Sequence, residues 1–548
     1  MIEKPVNSQS DARPTDARPR ILILGASVMQ GPALKIAGEM GLEVVAADAD
    51  PGAPCIPLAE RFEKVDLKDR EGIEALGRSL MEQSLNGSGG LAGIMTAGTD
   101  FSATVAWTAE KLGLPGIPFE TALDASDKER MRRRFREAGV PSPEFIIMKS
   151  PPEEGKASPF QGAPFSWPVV VKPVDNMGAR GCRRVDNFAE LKIAVIDALK
   201  FSRSGRAIVE EYMEGPEYSV DALVYKGEIT ICGIADRHIF FPPYFIEMGH
   251  TMPSAEDPAK IQALLDTFIR GVKALGITNG AAKGDIKFTP RGPMIGEIAA
   301  RLSGGYMSGW TYPYSSGVLP TRGAIEIALG EKPSLTEPEW NWTSAERAFI
   351  SIPGKVRSIG GLEKARVMRH VKDVFARVKP GSSVSFPENN VTKCGNIISA
   401  AESRQEAIDT AESAARSILI RLEAPNEATG AFLAKNTLFP PNAFTVDSRL
   451  LSLLSALPDT KGVSHLFSLF SIVPFPEFTG SGLRDYVGRT VRESLDAVRT
   501  LTGMELPIAG GNPGADITVL GRSFWQALIR GGYQGAVYYI DSLGNNRK

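Results

Sequence analysis

Short apolar runs alternate with helix-like segments near the start of the chain. RILILGAS begins at Arg20 and predicts a buried parallel strand, because such strands are apolar on both faces. The helix-like PALKIAGEMG follows, and LEVVAADADP and LAGIMTAGTD predict further strands. This alternation predicts a doubly wound α/β domain over residues 20–120. The turn GASVMQG lacks the GxGxxG spacing of dinucleotide sites, so we expect it to face a substrate rather than NAD.

The pattern changes after residue 120. ASDKERMRRRFREAG predicts a helix, and WPVVVKP, AIVEEYMEG, YSVDALVYKGEITICGIADR and AAKGDIKFTPRGPMIGEIAAR predict strands separated by Gly and Pro turns. We therefore expect an α+β unit with antiparallel hairpins over residues 121–335. A second α+β unit over residues 336–425 ends in the amphipathic SRQEAIDTAESAARSILIRL. Residues 430–548 predict mixed helix and strand, without a recognisable chemistry.

The composition narrows the class of protein. A chain of 548 residues with 43% hydrophobic and 23% charged residues predicts several soluble globular domains. The net charge of -2 gives no indication of a nucleic-acid or membrane partner. Residues 1–19 are polar and Pro-rich, which predicts a disordered tail and no secretory signal. The sequence contains no run of about 18 apolar residues, so we expect no membrane span and a cytoplasmic protein. Four scattered cysteines and four dispersed histidines argue against a zinc site.

Two lysines and a Gly-rich turn are candidates for binding phosphate. Lys128 lies near the start of the first predicted helix after residue 120, and Lys172 lies near the end of the strand VVVKP. Lysine ammonium groups bind phosphates as compact point charges. Gly178 and Gly181 in DNMGARG let backbone N–H groups turn towards phosphate oxygens.

Two carboxylates and an arginine follow in a strand-rich segment. Asp285 and Glu297 lie twelve positions apart, and Mg²⁺ prefers a few such oxygens together with phosphate. Arg301 is placed to stabilise a transferring phosphoryl group. Ser303, Gly304 and Gly305 follow it and offer backbone amides to a substrate carboxylate.

The order of these motifs resembles the ATP-grasp superfamily over about residues 20–422. The most similar members are carboxylate–amine ligases, including amino-acid and dipeptide ligases, and the large chain of carbamoyl-phosphate synthase. The resemblance implies an α/β and α+β multidomain protein. A Rossmann-like pre-ATP-grasp domain would precede an ATP-grasp domain with its lid over residues 121–335 and a sheet-and-helix unit over residues 336–425. Residues 430–548 would be an extra C-terminal domain.

The resemblance also assigns a nucleotide and metal site. IVEEYMEGPEYSV is similar to the adenine hinge, which implies that Glu210 lies near the adenine amine and that the backbone at Glu211 and Met213 reads its edge. Glu217 would accept hydrogen bonds from the ribose. ATP and Mg²⁺ are the implied cofactors, with Mn²⁺ as a substitute. Ala179 stands where relatives often have a serine, and Ala299 stands where they often have a metal-binding asparagine.

PPYFIEMGHTMPS gives the clearest indication of the substrate. It resembles a loop of amino-acid and dipeptide ligases in which an acid and a histidine face the acceptor pocket. Glu247 would bind an amino group. His250 would orient that group or accept its proton, since an unperturbed imidazole titrates near neutral pH.

We therefore expect an ADP-forming ligase that joins a carboxylate to an amine through an acyl phosphate. Its partners would be the two small-molecule substrates, and a homodimer is compatible with the resemblance. One alternative is a carboxylating enzyme that uses bicarbonate. The other is a non-catalytic ATP-binding regulatory module, which the alanines at 179 and 299 favour slightly.

Overall fold

The computed structural model describes residues 18–83, 89–153, 160, 162–435, 437–461, 469–507 and 517–545. The predicted disordered tail lies outside the described residues except for its last two positions. So does the whole Gly-rich segment IAGGNPGAD. None of the helices in the described ranges combines the length and hydropathy needed to cross a bilayer.

The N-terminal sheet is parallel, as the alternating pattern predicts. Its strand order is β3-β2-β1-β4, and helices flank it. Every residue of the first strand is buried, including Arg20, whose guanidinium pairs with Glu43 at 2.8 Å. The elements of this unit are β1 (Arg20–Leu24), α1 (Gly31–Glu39), β2 (Glu43–Asp48), β3 (Arg61–Lys64), α2 (Arg70–Glu82), β4 (Leu91–Thr96) and α3 (Ser102–Leu112).

Two helices lead into a small antiparallel sheet, here called the lid sheet. The elements are α4 (Phe119–Ser126), α5 (Lys128–Glu137), β5 (Phe145–Met148), β6 (Val169–Pro173), β7 (Arg183–Val185), α6 (Phe188–Phe201) and β8 (Ala207–Glu211). The strand order is β5-β8-β6-β7. The Asp127 side chain accepts hydrogen bonds from the backbone of Glu129 and Arg130 and so begins α5 immediately before Lys128.

An eight-stranded sheet, here called the central sheet, forms the middle of the molecule. From residue 217 to 422 the elements are β9 (Glu217–Tyr225), β10 (Glu228–Phe240), β11 (Ile246–Met252), α7 (Pro258–Leu275), β12 (Gly280–Thr289), β13 (Gly292–Ala299), α8 (Tyr312–Ser316), α9 (Pro320–Ala328), β14 (Thr343–Phe349), β15 (Gly354–Gly360), α10 (Leu362–Arg366), β16 (Val371–Ala376), β17 (Ser383–Val384), β18 (Gly395–Ala401), α11 (Arg404–Ser417) and β19 (Leu419–Leu422). The strand order is β13-β12-β9-β10-β11-β14-β18-β16. The sheet therefore crosses residue 335, because β11 pairs with β14. A separate three-stranded sheet has the order β17-β15-β19.

The described residues from 427 onward, here called the C-terminal extension, form a mainly helical unit with its own core. Its elements are α12 (Glu427–Ala434), α13 (Ser448–Ala456), β20 (Leu469–Ile472), α14 (Pro476–Thr479), α15 (Val491–Thr502), β21 (Ile517–Leu520) and α16 (Arg522–Asn545), which is interrupted at Gly532. Phe444, Phe478, Phe524 and Trp525 are buried in its centre. Asp541 pairs with Arg421 of β19 at 2.6 Å, so the extension is fixed to the preceding unit.

Candidate functional site

A cavity of about 340 Å³ lies between the lid sheet, the central sheet and the loops that follow β1 and β4. Most of the residues that the sequence predicts for the site line it. They are Lys128, Lys172, Gly178, Glu210, Glu211, Met213, Glu217, Glu247, His250, Asp285, Glu297, Arg301, Gly304 and Gly305. Residues separated by more than 170 positions thus meet around one cavity, as the ordered motifs predict.

Two predicted site residues, Gly181 and Ser303, are not among the lining residues. A Cβ on Gly181 would lie 2.8 Å from Cδ2 of Phe201, so this glycine allows the turn to pack against α6. The Ser303 hydroxyl points into the protein and donates a short hydrogen bond to the buried Asp221. Burial raises the pKa of Asp221 to about 6, against the opposing hydrogen bond from Ser303. Ser303 therefore anchors the glycine turn from below.

The carboxylates of Asp285 and Glu297 face each other across a hairpin. The two residues are direct partners in the antiparallel pairing of β12 with β13, next to a register shift between Asp285 and Ile286. Nζ of Lys128 lies 3.6 Å from Oε2 of Glu297. Burial alone would raise the pKa of Glu297, but the ammonium groups of Lys128, Lys172 and Lys283 lower it to about 2. Glu297 is thus ionised and lies beside Asp285, whose carboxylate is paired with Arg237 and Lys283.

These carboxylates fit Mg²⁺, which takes few oxygens from proteins and shares its coordination with phosphates. Among the described residues, no group of three or more His, Cys, Asp and Glu side chains forms a metal cluster. A divalent ion bound by Asp285 and Glu297 would therefore need further oxygens from a ligand. Ala299 lines the cavity beside them and carries no donor atom.

Sequence reasoning missed six cationic side chains that line the cavity, namely Arg180, Arg237, Lys283, Lys287, Arg377 and Lys393. Lys283 and Lys287 lie two positions on either side of Asp285 and so share its face of β12. Because side chains two positions apart lie on the same face of a strand, this spacing could have predicted that both lysines lie beside Asp285. Arg237 is less visible in the sequence, because it meets three carboxylates only through the strand order. It pairs with Glu217, with Asp285 at 2.9 Å and with Glu247 at 2.6 Å.

Glu210 lines the cavity, but it is buried and both its carboxylate oxygens are already paired with cations. Its Oε2 lies 2.6 Å from Nζ of Lys172, and its Oε1 lies 2.9 Å from Nε of Arg132. Burial raises the pKa of Glu210, but the two cations outweigh burial and lower it below its usual range. Arg132 is itself buried and was missed in the sequence, since its helix reads as a solvated charge run. The trio fixes the position of Lys172.

The predicted hinge connects β8 of the lid sheet with β9 of the central sheet. Glu211 pairs with Arg291 at 2.7 Å, and the Met213 carbonyl accepts a hydrogen bond from Lys287 at 3.2 Å. The ring of Tyr212 is stacked with that of Phe245 at 6.5 Å, and both line the cavity. The hinge thus offers backbone groups next to two aromatic faces.

Glu247 and His250 project from β11 into the cavity, close to the glycine turn. Oε1 of Glu247 and Cε1 of His250 would lie 2.9 Å and 3.0 Å from a Cβ on Gly305. Nδ1 of His250 is 3.0 Å from Oε2 of Glu346, and its Nε2 is 3.5 Å from Oε2 of Glu247. Burial lowers the pKa of His250, but the two carboxylates outweigh it and raise the pKa to about 9. The imidazole is therefore protonated at neutral pH, which favours the orienting role over that of proton acceptor.

Arg301 lies between the carboxylate pair and the glycine turn. Its Nη1 donates to the carbonyl of Leu302 at 3.0 Å. Its Nε is buried and has no hydrogen-bond partner among the described residues. Unlike Arg237, it has no Asp or Glu within ion-pairing distance in the described part of the chain, so its charge remains available to an anion in the cavity.

Family comparisons agree with this geometry. Residues 165–309 match the model of the ATP-grasp domain, and residues 348–423 match that of the L-amino acid ligase C-terminal domain 2. Residues 165–309 are thus an ATP-grasp domain, and the predicted family and fold class are confirmed. The homologues and structural neighbours indicate an enzyme of the carboxylate–amine ligase type.

Three proteins similar to this chain differ in how much of it they cover. An uncharacterised protein of Sinorhizobium fredii is 27% identical over 68% of this chain and 76% of its own length. Carnosine synthase 1 of Gallus gallus is 26% identical over 58% of this chain, which spans 36% of that longer protein. The crystal structure of an L-amino acid ligase from Bacillus licheniformis has a TM-score of 0.63 and 23% identity, and covers 75% of this chain and 100% of its own. That last likeness concerns the fold.

Proposed function

We propose that this protein is an ATP-dependent ligase that joins the carboxylate of one amino acid to the amine of another. One observation carries the proposal: β11 holds an acid and an imidazolium in the same cavity as the lysines and carboxylates suited to phosphate and metal. A bicarbonate site has no need for an acid that binds an ammonium group.

The nucleotide would bind between the lid sheet and the central sheet. The backbone at Glu211 and Met213 would read the adenine edge, and Glu217 would accept from the ribose. Lys128 and Lys172 would hold the phosphates as point charges. Glu210 would act on Lys172 rather than on adenine, because both its oxygens already pair with cations.

Asp285 and Glu297 would hold Mg²⁺, or Mn²⁺ in its place, and the ion would supply neutralising charge to the phosphates. Arg237 and Lys283 pair with Asp285 in the structure and would have to give way to a cation or turn towards phosphate oxygens. Because Ala299 has no side-chain oxygen, the ion would be coordinated by the carboxylates of Asp285 and Glu297 at this point.

In the first chemical step, a carboxylate oxygen of one substrate would attack the γ-phosphorus of ATP, and the bond from that phosphorus to the bridging oxygen of ADP would break. Arg301 would stabilise the charge on the transferring phosphoryl group. The backbone at Gly304 and Gly305 would face the acyl phosphate. Its hydrolysis must be prevented, and the lid is placed to exclude water: the Gly178 carbonyl accepts a hydrogen bond from the Asn390 amide at 3.0 Å.

In the second step, the amine nitrogen of the other substrate would attack the acyl carbon, and the bond from that carbon to the phosphate oxygen would break. The proton lost by nitrogen would leave with the phosphate. Glu247 would hold the amino group. His250 would fix Glu247, since it is already protonated and lies between two carboxylates.

The experiment that tests this proposal measures ADP and phosphate release with ATP and Mg²⁺ against single and paired amino acids, small carboxylates and bicarbonate. We expect release to require an amino-acid pair, with one amide formed per ADP. Release driven by bicarbonate would refute the amine acceptor. Tight ATP binding without release under any condition would refute catalysis.

A further inference from the structure

The C-terminal extension contacts the loop between β10 and β11, residues 241–245. The ring of Phe439 lies 4.6 Å from that of Tyr244, and the ring of Tyr486 lies 6.0 Å from that of Phe241. Both family matches end by residue 423, so this contact comes from a part of the chain that neither match includes. The loop leads directly into β11, which carries Glu247.

An aromatic cluster holds the loop against the extension. Phe386 is buried in its centre, with ring centroids 5.1 Å from Phe241, 4.9 Å from Tyr486 and 5.6 Å from Phe439. The Tyr486 hydroxyl lies 2.7 Å from the Pro441 carbonyl within the extension. The cluster also includes Ile246, the first residue of β11. The extension therefore presents a fixed surface to the loop.

The other side of the same loop contacts the lid sheet. The Pro243 carbonyl accepts a hydrogen bond from the Arg184 amide at 2.7 Å, and the Arg183 guanidinium lies 5.2 Å from the ring of Tyr244. The Arg184 guanidinium lies 4.8 Å from the ring of Tyr212, in the hinge. Tyr244 is thus between Phe439 of the extension and β7 of the lid sheet.

We propose that the C-terminal extension is a positioning element for the lid, and that Phe439 acts through Tyr244. By fixing Tyr244, Phe439 sets the place at which β7 and the hinge meet the loop, and so the closure of the lid over ATP. A tightly closed lid keeps water from the acyl phosphate. Phe439 touches no substrate, so it is a positioning residue. This inference rests on the proposed ATP site, and its coupling readout rests in addition on the proposed ligase reaction.

The first test compares Phe439→Leu with the wild type by titration calorimetry of ATP with Mg²⁺. Phe439 is only partly buried, so leucine should be accommodated. An aromatic pair of this kind corresponds to about 3- to 10-fold in an equilibrium constant, and we expect ATP affinity to fall by that factor. Phe439→Tyr keeps the ring and should bind ATP as the wild type does. Leu438→Ala removes a fully exposed neighbour and is the matched control.

The second test measures the ratio of ADP to amide product in the same variants. We expect more than one ADP per amide in Phe439→Leu, because a loosened lid admits water to the acyl phosphate. A loss of general stability would lower both products together and leave their ratio unchanged. An unchanged ratio together with unchanged ATP affinity would overturn the proposal.

A double-mutant cycle with Tyr244→Leu tests the route of the effect. Residues in contact are coupled, so Phe439→Leu should have little further effect on ATP affinity once Tyr244 is leucine. Additive effects would overturn the assignment to Tyr244. Tyr244→Leu alone removes the same aromatic contact from the side of the loop. The proposal can therefore still be tested if the Phe439 variant folds poorly. ATP affinity is independent of the other substrates, so this role and the ligase activity can fail separately.

Discussion

Replacing Glu346 with glutamine should lower the pKa of His250. Glu346 is fully buried, its Oε2 lies 3.0 Å from Nδ1 of His250, and its Oε1 accepts a hydrogen bond from Asn396. Burial opposes the charged imidazole, whereas Glu247 and then Glu346 raise its pKa from 6.5 to about 9. That difference corresponds to about 3 kcal/mol in favour of the imidazolium. Removing one of the two carboxylate charges should lower the pKa of His250 by about one pH unit or more.

The direction of the effect on stability follows from the raised pKa. The unfolded chain releases this proton near pH 6.5 and the folded protein near pH 9. The stabilisation is therefore complete below pH 6.5 and is lost as the pH rises through about 9. The wild type should lose more thermal stability over that interval than Glu346→Gln, and the difference between the two proteins isolates this pair from other titrations.

The pKa itself is measurable by NMR of the histidine ring protons, because the chain has only four histidines. His250→Gln assigns the resonance. Glu406→Gln is the matched control. The Glu406 carboxylate lies 3.0 Å from Nε2 of His370 and is 46% exposed, so removing it should have little effect on the pKa of His250. A His250 that titrates near pH 6.5 in the wild type, or at the same pH in Glu346→Gln, would refute the reasoning.

Three further outcomes are expected. Glu297→Ala should reduce kcat by about 100-fold or more, because it removes one of the carboxylates placed for the metal; a near-normal rate would contradict this placement. Glu210→Gln should destabilise the protein by about 3 kcal/mol, since it leaves buried cations without their carboxylate, whereas Glu211→Gln should have a much smaller effect on the melting temperature. Gly305→Ala should raise KM for the amine about tenfold, because its Cβ would lie 2.9 Å from Glu247; Gly139→Ala, also at positive φ but with open space around it, controls for backbone strain and should leave KM unchanged.

Much of the fold was predictable because its signals are local. The all-apolar run after Arg20 predicts a parallel strand, and the structure has one in the N-terminal sheet. The two strands that carry Asp285 and Glu297 also follow from the local pattern, but the register shift that pairs these two residues does not. The continuation of the central sheet across residue 335 was not predictable, because the pairing of β11 with β14 joins strands that are distant along the chain.

The site was only partly predictable for the same reason. Arg132 lies in a run of basic residues, and nothing in that run distinguishes it from its exposed neighbours; only the tertiary structure buries it beside Glu210 of β8. Arg237 joins three carboxylates that come from three other strands, so its role depends on the strand order. Ser303 looks like a ligand-binding residue in sequence, but a buried carboxylate at 221 takes its hydroxyl.

Because Asp285 pairs with Glu297, the hairpin that carries them should tolerate changes of length at its turn but not within its strands. Because side chains alternate along a strand, inserting one codon between Gly292 and Ile295, where the pairing is regular, would turn Glu297 to the opposite face of the sheet, although no functional residue had been altered. Insertions at the turn near Arg291 would leave the pairing intact. Descendants of this protein should therefore vary freely in the length of that turn and keep the number of residues between it and Glu297.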